Sequence, residues 1–347
     1  MMNLGTRVAL LASLLLLAGC SVTSSVAKNE ALQSESNGMN GEDLVFEHQG
    51  IERTYKIYRP RNLPDNAPML FALHGLGGKS EQMYRIGFNE VAEQHGFLAV
   101  YPQSLRKKVI LNRQQAKMVG LDLDKLCQSN KPSDDWMKYI CVDGKAVSTA
   151  GNVRWNDTGT DNGEDDVSFL SELAVYLQDR YQLNPEKTFV SGMSNGAYMS
   201  YTLMCQAGDV FKGAAPVAGL SEYSILNNCD PQGQKPLLHI HGVDDGLVPI
   251  TGKRSKGGKK SSSPSAEELV VYFAKLNNSA KKETIKATQN ATLHKYLPEG
   301  DGLEVHYYRI ENYGHEWPSS PNRNKAGEKD ASGFFATKVI WDFFSRY

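Results

Sequence analysis

The sequence predicts an α/β protein with a mainly parallel central sheet and helices on both of its faces. Short apolar strands alternate with segments of helical periodicity from residue 44 onward, and this alternation is typical of strand–helix–strand units. Met69–His74 is a compact apolar run of the kind found in a buried parallel strand. Apolar residues from Val167 to Tyr181 instead recur at helical spacing. We expect one domain over residues 44–347.

The predicted elements follow from the same two periodicities. Leu44–His48 and Arg53–Tyr58 are expected to form a hairpin or a pair of edge strands. The later elements are helix Glu81–His95, strands Phe97–Tyr101 and Thr188–Gly192, helix Asn195–Gln206, strands Gly213–Ala218 and Pro236–His241, a helix from the capping box Ser265/Glu268 through Leu276, strand Glu304–Ile310 and helix Phe334–Phe344.

Two stretches interrupt this order. Residues 104–151 separate a strand from the region of Trp155 and are expected to form a surface insertion stapled by a disulfide. Residues 252–264 contain five lysine or arginine side chains and are expected to form a flexible basic loop. Such a loop is either simply solvated or in contact with anionic lipid or an acidic polymer.

The N-terminus indicates export. Arg7 precedes an apolar run from Val8 to Ala18. That run is too short to span a bilayer as a helix but has the length of a signal-peptide core. Residues 1–19 are therefore predicted to be removed as a signal peptide.

The end of this segment also indicates a lipid anchor. Leu17-Ala18-Gly19-Cys20 resembles the lipobox of bacterial lipoproteins, which implies that Cys20 is lipidated. Ser21 after the cysteine implies sorting to the outer membrane, and residues 20–43 have the polar composition of a flexible tether. The alternative is an ordinary signal peptide and a secreted protein.

Besides Cys20, four cysteines remain after processing: Cys127, Cys141, Cys205 and Cys229. An even number in an exported protein favours disulfides. Of the three possible connectivities we expect the local one, 127–141 with 205–229. No C-x-x-C spacing supports a metal site, and no cofactor is predicted. The formal net charge of −1 gives no reason to expect a nucleic-acid partner.

The strongest chemical signal is Gly192-Met193-Ser194-Asn195-Gly196, which matches G-x-S-x-G between a predicted strand and a predicted helix. A sharp strand-to-helix turn lifts the serine hydroxyl above the sheet in α/β-hydrolases, and side chains at the glycine positions would collide. Ser194 is therefore the predicted nucleophile. The alternative is a tight turn in which Ser194 merely caps the helix.

A serine nucleophile needs a base, and the base needs an orienting carboxylate. In α/β-hydrolases these follow the serine in the order acid, then histidine. Asp244 and Asp245 come after strand Pro236–His241, and His315 comes after strand Glu304–Ile310. All lie at the edge of the sheet where open α/β folds bind ligands. Their chemistry alone does not choose between the two aspartates.

An acyl-transfer site also needs backbone donors for the oxyanion. His74-Gly75-Leu76-Gly77-Gly78 follows a buried strand, so the N–H groups of Leu76 and Asn195 are the predicted pair. Trp155 and Trp317 are the aromatic candidates for binding substrate. For Trp155 a packing role is the alternative.

Several segments together resemble the esterase/polyhydroxybutyrate depolymerase family, which also holds feruloyl and acetylxylan esterases. They are LHGLGG, RWND, DDVSFL, VSGMSNGAYM, APVAGL, HIHGVDDGLVP and GHEWP. The similarity covers about residues 50–345 apart from the two insertions. It implies an α/β-hydrolase fold, Asp245 as the acid, and a Cys205–Cys229 disulfide. The predicted function is a serine carboxylic-ester hydrolase that acts on a small-molecule or polymeric ester.

Three alternatives stay open. A serine peptidase of the same fold uses the same three residue types. A metallohydrolase is suggested by His239, His241, Asp244 and Asp245, although the H-x-H-x-D spacing would need an acid where Val243 stands. The third alternative is a non-catalytic surface lipoprotein, against which the order of serine, aspartate and histidine argues.

Overall fold

A computed structural model of the protein describes residues 40–108, 110–118, 120–129, 131–134, 138–149, 152–158, 165–252, 263–319, 330 and 332–347. Its strands are β1 Leu44–His48, β2 Ile51–Tyr58, β3 Met69–Leu73, β4 Leu98–Pro102, β5 Arg106–Lys107, β6 Ile110–Leu111, β7 Tyr139–Val142, β8 Lys145–Ser148, β9 Asn152–Val153, β10 Thr188–Met193, β11 Gly213–Val217, β12 Leu237–Gly242, β13 Lys281–Lys286, β14 Ala291–Leu297 and β15 Val305–Ile310. Its α-helices are α1 Ser80–Tyr84, α2 Phe88–His95, α3 Arg113–Met118, α4 Leu123–Ser129, α5 Asp166–Tyr181, α6 Asn195–Gln206, α7 Tyr223–Leu226, α8 Ala266–Leu276 and α9 Ala336–Phe344.

Ten of the described strands form one sheet in the order β1-β2-β4-β3-β10-β11-β12-β15-β14-β13. The six strands from β4 to β15 pair in parallel, and the two strands at each end pair antiparallel. The predicted fold class, a mainly parallel α/β sheet, is confirmed. Because β3, β10, β12 and β15 run the same way, their carboxyl ends meet at one edge of the sheet.

Apolar cores lie on both faces of this sheet. Consecutive residues of β3 alternate between them: Met69, Phe71 and Leu73 join one core, whereas Leu70 and Ala72 join the other. This alternation explains the unbroken apolar run in the sequence, since a parallel strand covered by helices has no polar face.

Two sequence predictions need correction. Residues 81–95 do not form a single helix, because Gly87 adopts a φ of +109° between α1 and α2. A Cβ at Gly87 would lie 2.3 Å from the Phe335 ring, so this break also makes room for the start of α9.

The antiparallel pair β13–β14 at the sheet edge was not predicted. Its β13 strand is mostly exposed and polar, which hides the strand pattern.

The insertion predicted at residues 104–151 folds around its own small core. Its strands pair in the order β6-β8-β7, and α3 and α4 pack on them. A disulfide joins Cys127 to Cys141, as the sequence led us to expect. A short antiparallel ribbon of β5 and β9 connects this unit to the main sheet.

Some predictions fall outside the described residues. They are the signal peptide 1–19, lipidation of Cys20, most of the tether 20–43 and nearly all of the basic loop 252–264. Within the described part of the chain, no helix has both the length and the apolar character needed to cross a membrane.

Candidate active site

Ser194 lies between β10 and α6 with a φ of +56°, a backbone region that residues with side chains rarely occupy. Its N–H donates to the Val217 carbonyl, 3.0 Å away, which ties the turn to β11. Both flanking glycines are sterically required. A Cβ at Gly192 would lie 2.4 Å from the Gly196 carbonyl oxygen, and one at Gly196 would lie 2.3 Å from the Leu73 carbonyl oxygen. The turn is therefore the strained elbow that the sequence predicted.

His74 fixes the neighbouring glycine-rich loop. Its Nδ1 lies 2.8 Å from the Gly75 carbonyl, which can only accept, so Nδ1 carries the proton. The Ser104 N–H donates to His74 Nε2 at 3.1 Å, which fits the same tautomer. Burial lowers the pKa of His74 to about 4, and the ring is neutral at neutral pH.

This loop passes directly over the nucleophile. A Cβ at Gly75 would lie 3.3 Å from the Ser194 Cβ, so the backbone next to Leu76 approaches the serine closely. The Gly77 N–H donates to the Val153 carbonyl at 2.7 Å, which holds the loop against β9. The Leu76 side chain is 43% exposed. The loop and the first turn of α6 thus bring Leu76 and Asn195 to the same edge as Ser194.

Trp155 does not form a substrate platform, and that prediction was wrong. The side chain is wholly buried, and its indole Nε1–H donates to the His74 carbonyl at 2.9 Å. Its backbone N–H donates to the Asn195 side-chain oxygen at 2.8 Å. Trp155 therefore links the glycine-rich loop to the residue after the nucleophile, and the packing alternative describes it correctly.

The structure brings Asp245 and His315 together. His315 Nδ1 lies 2.8 Å from Asp245 Oδ2, and Asp245 Oδ1 accepts the N–H groups of Leu247 and Val248 at 3.0 and 2.7 Å. Burial alone would raise the pKa of Asp245, but hydrogen bonds from His241, His315 and the Val248 amide outweigh it and hold the pKa well below its ordinary value. The ionised carboxylate accepts the Nδ1 proton, which leaves Nε2 of His315 as a base.

Asp244 is placed differently. Its side chain is exposed, whereas Asp245 is buried. The Asp244 N–H donates to the Tyr313 carbonyl at 3.0 Å, which joins the loop after β12 to the loop after β15. The geometry therefore favours Asp245 as the partner of His315, as the family resemblance implied.

Trp317 packs edge-on against Phe88 of α2, with ring centroids 6.0 Å apart. Its indole Nε1 is buried and has no hydrogen-bond partner among the described residues. A role of Trp317 in substrate binding stays a prediction.

A second group of ionisable side chains surrounds Asp157, two residues after Trp155. Burial raises the pKa of Asp157 to about 6, against the opposing effect of Arg154, and Glu222 adds to the rise. Burial also raises the pKa of Tyr198, with contributions from Asp157, Glu222 and Asp245. Sequence reasoning missed these residues because they come from separate segments and match no spacing rule.

His239 and His241 were read from the sequence as candidate metal ligands. They hydrogen-bond to each other, Nε2 to Nδ1 at 3.1 Å, and both are buried. The described residues contain no group of three or more histidine, cysteine, aspartate or glutamate side chains arranged to hold a metal ion. A second disulfide joins Cys205 at the end of α6 to Cys229.

Parts of this chain are similar in sequence to one protein family and to several known proteins. Residues 139–226 match the prolyl oligopeptidase family (Peptidase_S9). The chain is 22% identical over 303 residues to a bifunctional acetylxylan esterase/xylanase of Neocallimastix patriciarum, covering 86% of this chain and 34% of that protein. It is 26% identical over 290 residues to poly(3-hydroxyalkanoate) depolymerase C of Paucimonas lemoignei, covering 76% of this chain and 58% of that protein. It thus spans between a third and three fifths of the length of these two relatives.

Among solved structures, the fold is similar to an acetyl xylan esterase from Aspergillus awamori. The TM-score is 0.50 at 16% identity, over 85% of this chain and 94% of the other. The chain therefore has the fold of the α/β-hydrolases.

Proposed function

We propose that this chain is an exported serine carboxylic-ester hydrolase with Ser194 as nucleophile, His315 as base and Asp245 as the orienting acid. The observation that carries the proposal is the 2.8 Å contact between His315 Nδ1 and buried Asp245 at the sheet edge that also carries the strained Ser194 elbow. An aspartate in this position fixes the imidazole tautomer and stabilises the imidazolium that forms during reaction.

The mechanism is acyl transfer in two steps. His315 takes the hydroxyl proton of Ser194 as Oγ attacks the ester carbonyl carbon, and the N–H groups of Leu76 and Asn195 stabilise the resulting oxyanion. His315 then gives its proton to the leaving alcohol, and an acyl-enzyme remains. A water molecule, deprotonated by His315, attacks the acyl carbonyl and releases the acid and the free serine.

The loops around the site support an apolar acyl or alcohol group. Leu76 is 43% exposed and Leu247, two residues beyond Asp245, is 74% exposed. Large aliphatic side chains at a cleft favour ligands with apolar surface. Together with the poly(3-hydroxyalkanoate) depolymerase named above and the family resemblance of the sequence, this supports a substrate of the kind cleaved by polyhydroxybutyrate depolymerases or feruloyl esterases.

The test uses p-nitrophenyl butyrate with purified mature protein. Ser194→Ala and His315→Ala should each lower kcat by roughly 10⁶-fold, because the first removes the nucleophile and the second removes the base. Asp245→Asn should lower kcat by roughly 10⁴-fold, while Asp244→Asn, its exposed neighbour, serves as the matched control. Full activity of Ser194→Ala would refute the proposal, and a greater loss at Asp244 would refute the choice of acid.

A serine peptidase is the second candidate, because the matched prolyl oligopeptidase family segment includes the Ser194 elbow. A substrate panel separates the two: hydroxybutyrate oligomers, methyl ferulate, acetylated xylan and a peptide p-nitroanilide. We expect cleavage of at least one ester and no measurable release from the anilide. Faster cleavage of the anilide would favour the peptidase.

The proposal includes a lipid anchor at Cys20 that holds the enzyme at the bacterial outer membrane. The support is the lipobox-like segment before Cys20 in the sequence. The full-length chain expressed in a bacterium should incorporate labelled palmitate and partition into detergent, and Cys20→Ala should do neither. Labelling of Cys20→Ala equal to the wild type would contradict the anchor, and soluble unlabelled wild type would point to simple secretion.

A further inference from the structure

A chain of buried polar contacts leads from beside Asp245 into the protein interior. His241 Nε2 lies 2.8 Å from the Val248 carbonyl and 3.3 Å from Asp245 Oδ2. His241 Nδ1 lies 3.1 Å from His239 Nε2, and His239 Nδ1 lies 2.8 Å from the Tyr201 hydroxyl. All of these side chains are buried. His239 and His241 share one face of β12 because they are two residues apart on a strand.

The positions of the protons in this chain follow from its last acceptor. The Val248 carbonyl can only accept, so His241 must carry its proton on Nε2. A neutral His241 then accepts at Nδ1, which requires the proton of His239 on Nε2. His239 in turn accepts at Nδ1, which requires the Tyr201 hydroxyl to donate. Every donor therefore points toward the Val248 carbonyl, beside which Asp245 Oδ2 lies 3.3 Å from His241 Nε2.

Burial keeps the far end of the chain uncharged. It lowers the pKa of His239 well below the ordinary value, with a further contribution from His241, and it raises the pKa of Tyr201 well above the ordinary value. Neutral, singly protonated rings are the state that the donor directions require. The far end of this series of contacts therefore presents a dipole and no charge to His241.

We propose that His241, oriented by His239 and Tyr201, is a positioning residue that sets the direction and the effective charge of the Asp245 carboxylate. This inference rests on the proposed function, since it assigns to His241 an effect on the His315–Asp245 pair. Backbone amides hold Oδ1 of the carboxylate, and the two imidazoles share Oδ2. His241 therefore competes with His315 for the same oxygen atom.

This competition predicts the direction of a change in pH dependence. Without the His241 donor, more negative charge stays on Oδ2, and the His315 imidazolium is stabilised. The acid limb of kcat/KM, which requires neutral His315, then moves to higher pH by about half a unit. Among the described residues, exposed Asp244 adjoins Asp245 in sequence, and Tyr198 also lies near it. Burial raises the pKa of Tyr198, so its hydroxyl stays protonated across this limb.

The test compares four proteins in the ester assay: wild type, His241→Leu, His241→Gln and Tyr201→Phe. We expect His241→Leu to lower kcat by roughly tenfold, with KM within about twofold, and to shift the acid limb upward. His241→Gln retains an amide donor near the Nε2 position, so its acid limb should lie close to that of the wild type. Tyr201→Phe keeps the ring packing and should shift the limb in the same direction by a smaller amount.

Tyr307→Phe is the matched control. The Tyr307 ring is buried and packs against His239 with centroids 5.4 Å apart, but its hydroxyl is not one of the groups that connect Tyr201, His239 and His241. If His241 had a purely structural role, its replacement would lower the fraction of active protein. The pH midpoint of the acid limb, measured on the remaining activity, would then stay unchanged. An unmoved limb in both His241→Leu and Tyr201→Phe overturns the inference. If His241→Leu does not fold, the comparison of Tyr201→Phe with Tyr307→Phe decides.

A spectroscopic measurement makes this result independent of turnover. The proton on His315 Nδ1 gives a downfield ¹H resonance in protein with ¹⁵N-labelled histidine, and its position reports the strength of the bond to Asp245. Loss of the His241 donor should move this resonance further downfield, whereas Tyr307→Phe should leave it in place. If Ser194→Ala is as active as the wild type but the resonance still moves, the proposed function fails and the buried chain stands.

Discussion

Replacing Trp155 by phenylalanine removes one buried hydrogen bond from the start of the glycine-rich loop. The indole Nε1–H donates to the His74 carbonyl at 2.9 Å, and the indole and imidazole rings lie 5.0 Å apart. An unsatisfied buried acceptor costs about 1–3 kcal/mol, and loss of part of a fully buried ring costs about 1–2 kcal/mol more. Trp155→Phe should therefore lower the free energy of unfolding by about 2–5 kcal/mol.

The same change should lower kcat by roughly tenfold, because a displacement of Leu76 that costs about 1.4 kcal/mol of transition-state stabilisation has that effect. KM should stay within about twofold, since a wholly buried side chain does not touch substrate. The assays are urea unfolding and p-nitrophenyl butyrate kinetics. A raised KM with an unchanged free energy of unfolding would refute this reasoning and restore Trp155 as a substrate platform.

Three further predictions concern the same region. Burial raises the pKa of Asp157 to about 6, so the free energy of unfolding should fall as pH rises from about 4 through 6. Measured by urea unfolding, the free energy of unfolding of Asp157→Asn should rise relative to that of the wild type by up to about 3 kcal/mol between pH 4.5 and 7.5. Burial lowers the pKa of His74 to about 4, so stability should be lost as pH falls from about 6.5 through 4, and His74→Gln should lack this loss in the same titration. Gly196→Ala should cost more than about 3 kcal/mol, because its Cβ would lie 2.3 Å from the Leu73 carbonyl oxygen; a circular-dichroism melt equal to the wild type would contradict the steric argument.

The sequence predicted those parts of the molecule that obey a local rule. The apolar strands, the Ser265–Glu268 capping box and helix Asn195–Gln206 are each set by neighbouring residues, and the structure has them where periodicity and capping chemistry put them. The edge pair β13–β14 was missed because an exposed, lysine-rich strand lacks the apolar signal on which the prediction depends.

Contacts between distant segments escaped prediction for a different reason. An acidic side chain at the start of a helix is favourable, which would assign Asp166 to the start of α5, but its carboxylate is buried and accepts from Arg53, Lys107 and the Asn156 N–H at 2.7–2.8 Å. Asp165 is the N-cap instead and accepts the Ser168 N–H. A local rule assigns both aspartates to the helix end, and only tertiary packing separates their roles.

The histidines of β12 show the same limit in the candidate site. H-x-H followed by two aspartates invites a metal interpretation, because the spacing fixes which side chains share a face of the strand. It does not fix what lies opposite that face. In the structure Tyr201 lies there, on helix α6, and its hydroxyl supplies the donor that a neutral histidine pair needs.

The antiparallel ribbon of β5 and β9 connects the insertion to the glycine-rich loop beside Ser194. The Val153 carbonyl in β9 accepts the Gly77 N–H at 2.7 Å, and Lys107 in β5 binds Asp166 at 2.8 Å. Two residues beyond β9, Trp155 holds the His74 carbonyl. Shortening the chain through this ribbon would therefore release the loop that carries Leu76. The unit beyond the ribbon has its own core and disulfide, so it can change in sequence without disturbing the loop.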